Sequence, residues 1–235
     1  MIQLKECPVI EKMRFDGDKF LLKLDCPDFD AEPGQFIEIK PAEGRDPLLR
    51  RPYSIANIEN NELWLIVQIR GRGSKLIANS ERINFLGPLG RGFPVQNGVV
   101  LAGGGSGIAP LFFYLRKYPD KVKKAVFGFR TIPQIDLKSY LPEVVIVTED
   151  GSSGIKGLVT DYMEDKGPVY ACGPTPMLRA LLDKLSPDKL YLSLESIMGC
   201  GTGICMGCAV KRADNRGYYR VCTDGPVFRA DKIVL

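Results

Sequence analysis

VVLAGGGSGIAPLFFYLRKY, residues 99–118, is where the character of this chain changes. An apolar run enters four glycines, Gly103, Gly104, Gly105 and Gly107, and leaves as a segment with the length and composition of a helix. A strand, a glycine turn and a helix N-terminus let backbone amides converge on an anion such as a phosphate. No window satisfies G-x-G-x-x-G, because Ile108 and Pro110 stand where that fingerprint needs glycine. On local grounds the stretch is a strand, a hinge and a helix, with phosphate binding as the chemistry the hinge favours.

Downstream, AVFGF (125–129), VVIVT (144–148) and PVYAC (168–172) read as buried strands. PMLRALLDKL (176–185) reads as a helix with Leu178, Leu181, Leu182 and Leu185 on one face. Strands alternating with helices predict a parallel sheet. Upstream, KFLLKL (19–24), QFIEIK (35–40), YSIANI (53–58) and LWLIVQI (63–69) recur at the spacing of a small antiparallel barrel, with turn signals at Pro33-Gly34 and Asn60-Asn61. GPLGRGFPVQNG (87–98) reads as a linker. The expected architecture is β plus α/β: a β-barrel domain over 1–97, a parallel-sheet α/β domain over 98–193, and an irregular lobe over 194–235, too rich in Gly and Cys for either pattern.

The length of 235 residues supports two domains with a real core. With 45% hydrophobic and 26% charged residues, neither disorder nor a fibre is suggested. The net charge of +4 is small and the charges are interspersed, so nucleic acid is not the expected partner. The N-terminal twenty residues carry charges throughout and lack the apolar core of a signal peptide. No segment reaches the roughly 20 apolar residues of a membrane span. A cytoplasmic location is expected, and the cytosol keeps thiols reduced.

Seven cysteines and no histidine narrow the chemistry. Ser-His-Asp triads, His-ligated zinc and His-ligated haem are excluded. In GCGTGICMGC (199–208), Cys200, Cys205 and Cys208 make C-x4-C-x2-C, and Cys222 follows as a fourth. That is the plant-type [2Fe–2S] spacing, with the fourth thiol sooner than in plant ferredoxins. Gly199, Gly201, Gly203 and Gly207 let the loop curl tightly and bring amides to anionic sulfurs. Structural zinc is the alternative, although four-cysteine zinc sites usually combine two CxxC knuckles and only one is present. Cys7 and Cys26 are left over, read as thiols without function.

LLRRPYSIAN (48–57) resembles the R-x-Y-S flavin motif of the ferredoxin reductase superfamily, in which a flavin barrel precedes a nucleotide domain. The resemblance implies that Arg51 pairs with the FAD pyrophosphate, for which a guanidinium is well shaped. It places Pro52, Tyr53 and Ser54 along the flavin, with Val67 and Gln68 in the same cofactor-binding set. GRGSK (71–75) is similar to the family's second phosphate loop, which would make Gly73 and Ser74 donors to FAD. YACGPTPML (170–178) resembles the CGP-x-x-M segment beside the nicotinamide, implying pyridine-nucleotide contacts at Cys172, Gly173, Pro174 and Met177.

Read end to end, PLLRRPYSIA, FLGPLGRGFPV, GGGSGIAP, CGPTPML, ESIMGCGTGICMGCAV and VCTDGPVF resemble the electron-transfer subunits of two-subunit, NAD-linked bacterial dihydroorotate dehydrogenases. The residue after RRP is Tyr53 where some members carry an aliphatic, so stacking on the flavin is a local expectation. The resemblance implies a relay that assigns this chain no catalytic acid or base. An FMN-containing catalytic subunit would oxidise dihydroorotate in pyrimidine (UMP) biosynthesis, and electrons would cross the [2Fe–2S] cluster to FAD and then NAD+. A heterotetramer with two of each subunit is implied. Arg130 suits a 2′-phosphate, whereas Glu149 or Asp150 suits the ribose hydroxyls of NAD, so local residues leave that choice open. Two other readings stay open: a stand-alone or complex-bound NAD(P)H-dependent ferredoxin or flavin reductase, such as a hydrogenase flavin subunit, and a zinc-stabilised interaction module.

Overall fold

Alternation of apolar and polar residues builds the first half of the chain. The computed structural model describes residues 1–133 and 144–235. Six strands, β1 (Gln3–Asp16), β2 (Lys19–Asp25), β3 (Phe36–Ile39), β4 (Arg51–Glu59), β5 (Glu62–Gln68) and β6 (Arg82–Leu89), close an antiparallel barrel in the order β1-β2-β5-β4-β3-β6. In β2, Leu22 and Leu24 fill the barrel, while Lys23 between them lies over the Trp64 ring, 4.5 Å from its centroid. Ile37, Ile39, Ile55, Leu63 and Leu65 complete the interior, each contributing about 1.5–3 kcal/mol by burial. Closure leaves no open edge for aggregation.

The barrel corrects one expectation. Val9 of β1 stands opposite Leu24 of β2, and continuing that antiparallel register brings Cys7 to Cys26. Both are buried and joined as a disulfide with Cα atoms 5.4 Å apart, so they are a pair and not two idle thiols.

A short helix, α1 (Arg72–Ala78), leaves β5. The second half begins with β7 (Val99–Gly104), α2 (Ile108–Lys117), β8 (Val122–Phe129), β9 (Val144–Thr148), β10 (Ile155–Lys156), β11 (Val169–Cys172), α3 (Thr175–Lys184) and β12 (Leu190–Ser193). Then come a hairpin of β13 (Ala209–Lys211) and β14 (Tyr218–Arg220), and finally β15 (Val227–Arg229). The sheet order is β10-β9-β8-β7-β11-β12-β15, parallel throughout except that β15 runs against β12. The Cys-rich lobe, expected to be irregular, therefore gives a strand to the nucleotide-type sheet. On α3 and at its C-cap, Leu178, Leu181 and Leu185 are buried and Leu182 is half-buried, as the periodicity predicts.

Helix α2 is apolar from Ile108 to Leu115 because that stretch is covered on two sides. Phe113 packs into the barrel interior's cluster, while Phe112, Leu111 and Tyr114 join the sheet-side cluster with Trp64 and Phe127. Pro110 sits in the first turn, where its missing N–H costs no helical bond. The supposed linker 87–98 is also structural. Gly87–Leu89 end β6, Phe93 stacks on Tyr170 with centroids 4.9 Å apart, and the Tyr170 hydroxyl donates to the Pro94 carbonyl at 2.7 Å. Among the described residues no helix is long and apolar enough to cross a membrane.

Phe127 is fully buried where sheet and α2 meet. Phe127→Ala should cost about 3–5 kcal/mol. At roughly 2–4 °C per kcal/mol for a chain of this size, differential scanning calorimetry should record a clear fall in the unfolding midpoint. A midpoint within a degree of the parent would show that the cavity collapses.

Candidate functional site

A cleft of about 1140 Å3 lies where barrel, sheet and Cys-rich lobe meet. Gly17–Lys19, Gln68 and Arg70 wall it on the barrel side, Gly104–Ser106 and Gly173–Met177 on the sheet side, and Ala209, Val210 and Val221 on the lobe side. This volume suits a dinucleotide-sized ligand better than a small substrate. The sheet-side wall is two strand ends meeting almost without side chains. A Cβ at Gly107 would stand 2.6 Å from the carbonyl carbon and oxygen of Cys172 and from the Cα of Gly173. A Cβ at Gly104 would meet the Met177 sulfur at 2.8 Å. The turn after β7 and the turn after β11 thus touch backbone to backbone, and Gly104–Ser106, just ahead of α2, line the cleft.

Of the sequence-derived nucleotide residues, Gly104, Gly105, Gly173, Pro174 and Met177 line the cleft directly. Gly103, Gly107 and Cys172 stand behind that wall. Gly103 is pressed against Ile108 and Phe127, and burial pushes the Cys172 thiol up, keeping it neutral. At the far end, Arg130 and Glu149 line the cleft. The Asp150 carboxylate instead accepts from the backbone N–H and hydroxyl of Ser152 at 2.9 and 2.6 Å, which holds it below the usual carboxylate range. Glu149 is thus the acceptor that faces the cleft.

On the barrel side, the Arg51 guanidinium donates to the Leu49 and Arg50 carbonyls at 2.9 and 3.1 Å. Gly73 lies against it, since a Cβ there would be 3.3 Å from Arg51 Nε. The motif and the second glycine loop are thus brought together. Tyr53 is half-buried, and burial pushes its hydroxyl up to about 12 despite Arg51 and Arg70, so the ring is a neutral surface. Ser54 pairs with Phe36 across β3 and β4. The Ser74 hydroxyl is engaged in its own turn, accepting from the Arg70 and Gly71 amides at 2.8 and 3.0 Å and donating to the Gly71 carbonyl. Val67 is buried in the barrel, leaving Gln68 as the residue of that strand end that reaches the cleft. Arg70 and Glu195 face each other across the mouth at 3.9 Å.

The four clustered cysteines stand as two pairs. The Cys205 and Thr202 amides point at the Cys200 sulfur and hold its thiol below the ordinary value. The Cys222 amide donates to Cys208 Sγ at 3.4 Å, and burial raises the Cys222 thiol. Among the described residues no three His, Cys, Asp or Glu side chains are placed to hold a single metal ion. Two cysteine pairs are what a two-iron cluster takes, one pair for each iron. The turn itself depends on Gly201 and Gly203, whose φ values of 67° and 85° are strained for any other residue type.

Two residues of this site were not identified from the sequence. Among the described residues, only Glu38 Oε1 and Thr223 Oγ1 are buried side-chain polar atoms without a hydrogen-bond partner. Both face the cysteine loop. A Cβ at Gly201 would meet Glu38 Oε1 at 3.1 Å, and one at Gly203 would meet Thr223 Oγ1 at 3.1 Å. Ile37 and Ile39 fill the barrel, so Glu38 between them points outward, where burial pushes its carboxyl up to about 7. The one available signal was a lone carboxylate inside the apolar strand QFIEIK. The donor set fits a [2Fe–2S] cluster, and the orphaned atoms mark where polar partners are needed.

Residues 195–234 match the family described as the iron-sulfur cluster binding domain of dihydroorotate dehydrogenase B. The chain is 41% identical over 227 residues to the dihydroorotate dehydrogenase B (NAD(+)) electron transfer subunit of Lysinibacillus sphaericus, covering 88% of each chain. It is 40% identical over 224 residues to the protein of the same name from Geobacillus thermodenitrificans, covering 87% of each. In structure it is similar to an NADH-dependent reduced ferredoxin-NADP oxidoreductase studied for flavin-based electron bifurcation. That match has TM-score 0.83 and 25% identity, covering 97% of this chain and 89% of the other.

The crossing at Gly107 sets a test of the nucleotide site. Gly107→Ala forces a methyl group into the Cys172–Gly173 backbone, an overpacking cost of about 1–3 kcal/mol. NAD+ affinity should fall roughly ten- to hundredfold while iron and flavin contents stay normal. Unchanged NAD+ affinity by calorimetric titration would show that this turn does not shape the nucleotide site.

Proposed function

The chain belongs to the family of electron transfer subunits of dihydroorotate dehydrogenase B, and from that premise we propose how its residues serve the relay. It is an oxidoreductase subunit that works with FAD, a [2Fe–2S] cluster and NAD. Bound together, these groups supply one-electron transfer at the iron–sulfur cluster and two-electron transfer at the flavin, which matches the hydride that NAD+ accepts. In our reading Arg51 and Gly73 hold the flavin pyrophosphate, Tyr53 and Ser54 lie along the ring system, and Gly104, Gly105, Gly173, Pro174 and Met177 receive the nicotinamide nucleotide. Glu149 accepts from the ribose hydroxyls. Cys200 and Cys205 hold one iron, and Cys208 and Cys222 hold the other.

The observation that carries this reading is where the cysteine loop rests. Glu38, against Gly201, lies opposite Pro52 of the flavin motif in the β3–β4 ladder. The loop therefore packs on the strand pair that presents Arg51, and the two cofactor sites adjoin. The partner is a catalytic subunit, which we propose to carry FMN and to assemble with this chain as two of each. The division at 1–97, 98–193 and 194–235 we read as functional units, since β15 of the last belongs to the sheet of the second. A stand-alone or bifurcating reductase is disfavoured because its likeness is 25% identity against 41% for the dihydroorotate dehydrogenase subunits.

The anaerobically purified protein should show flavin bands over a broad iron–sulfur absorbance, with about two irons and one FAD per chain, bleached by NADH. A colourless, zinc-containing protein would overturn the cofactor roles. Cys222→Ser should remove most of the iron and keep FAD. Arg51→Ala removes a charge-assisted contact of about 1.5–3 kcal/mol and should weaken FAD binding at least tenfold with iron intact. Loss of FAD from Cys222→Ser with iron retained would reverse the assignment.

A further inference from the structure

We infer that Glu38 and Thr223 are positioning residues of the iron–sulfur centre: Thr223 is a hydroxyl donor that raises the cluster's potential, and Glu38 is the barrel's acceptor that lowers it. The inference rests on the cluster assignment above and names two residues outside the cysteine set. A buried polar atom without a partner is costly, so such atoms are rare and ask for an explanation. Here the two that occur among the described residues lie against one nine-residue loop. Glu38 comes from the barrel and meets Gly201; Thr223 comes from the lobe, next to Cys222, and meets Gly203.

Their chemistry differs in sign. A threonine hydroxyl can donate to a thiolate or sulfide, and donation to an electron-rich sulfur favours the reduced state, which carries one more negative charge. The Glu38 Oε1 atom, without a partner of its own, turns acceptor lone pairs toward the loop, and an acceptor there disfavours the added electron. The neighbours of each are consistent with fixed placement. Arg50 donates to the Glu38 backbone carbonyl at 3.1 Å and to Asn84 Oδ1 at 2.8 Å, holding this end of β3. Arg220, across from Thr223, is tied to Asp224 at 3.1 Å and donates to the Gly203 carbonyl at 3.4 Å, fixing the turn that the hydroxyl faces. Glu38 also sits in the ladder opposite Pro52, so the group that adjusts the cluster belongs to the strand pair that carries the flavin motif.

The test uses the full chain with its partner subunit. Iron, sulfide and FAD are measured first, then the cluster's midpoint potential by redox titration followed by electron paramagnetic resonance. Thr223→Val keeps the shape and removes the hydroxyl. It should retain the cluster and shift the reduced-to-oxidised ratio at fixed solution potential about tenfold toward oxidised, or 59 mV for one electron. Thr223→Ser should restore the parent potential. Glu38→Gln replaces an acceptor with a neutral amide that can donate, and should move the potential the opposite way with iron and FAD unchanged. Parent potentials in both Thr223→Val and Glu38→Gln overturn the inference. If Thr223→Val loses its cluster, Thr223→Ser decides: a loaded cluster at the parent potential supports the hydroxyl's role, and a lost or shifted one overturns it. A parent protein without a two-iron signal would instead overturn the cluster assignment itself, and this inference with it.

Discussion

Helix α2 is buried from two directions, and the relative placement of everything functional depends on that. Phe113 is shared with the barrel interior, Phe112 and Tyr114 with the sheet, and Lys117 and Tyr118 reach Glu32 on the barrel side at 3.0 and 2.7 Å. A helix whose residues from Ile108 to Tyr114 are all buried cannot rest on one layer alone, so barrel and sheet must both close on it. That closure sets Gly17–Lys19, Gln68 and Arg70 of the barrel in one cleft with the glycine turn that begins α2. Packing of this density is not continuously deformable, which suits a protein whose cofactors must keep fixed separations.

The Cys-rich lobe is fixed from two sides as well. Strand β15 pairs with β12, so the lobe's C-terminal part is an extension of the nucleotide sheet. Its cysteine loop meanwhile leans on Glu38 of the barrel. The lobe thereby touches both domains without forming a large core of its own. Its conformation comes from left-handed glycines, from amides turned toward sulfur, and from Val221 and Cys222 buried in the sheet-side core. In such a segment much of the folding energy has to come from cofactor binding, because ligands must be deprotonated and brought together at once.

Much of this was legible in the residues. The period-two runs marked β2 to β5, and the leucines of α3 marked its buried face. The C-x4-C-x2-C spacing marked the cluster loop and the glycines marked the nucleotide turn. Other elements were missed for identifiable reasons. Strand β1 is long, charged and only partly buried, so it shows no clean alternation. Strand β12 is four residues long and carries too little pattern to stand out. The 87–98 stretch looked like a linker because Gly and Pro dominate it, yet Phe93 and the Pro94 carbonyl are held by Tyr170, more than seventy residues away. Cys7 and Cys26 pair through a strand register that spacing alone does not reveal.

The sequence by itself determined the chemistry: four thiols at iron–sulfur spacing, an arginine-aromatic flavin motif, glycine turns suited to phosphate, and the absence of histidine. These are local, because each depends on residue types within one turn or loop. The tertiary structure decided what those pieces face. It set Cys172 behind the nucleotide wall while Met177 lines it, turned Glu149 and not Asp150 toward the cleft, and brought Glu38 and Thr223 against one loop. Such relations are made by strand register and by packing between segments distant in the chain, where side-chain direction depends on partners that no local pattern specifies.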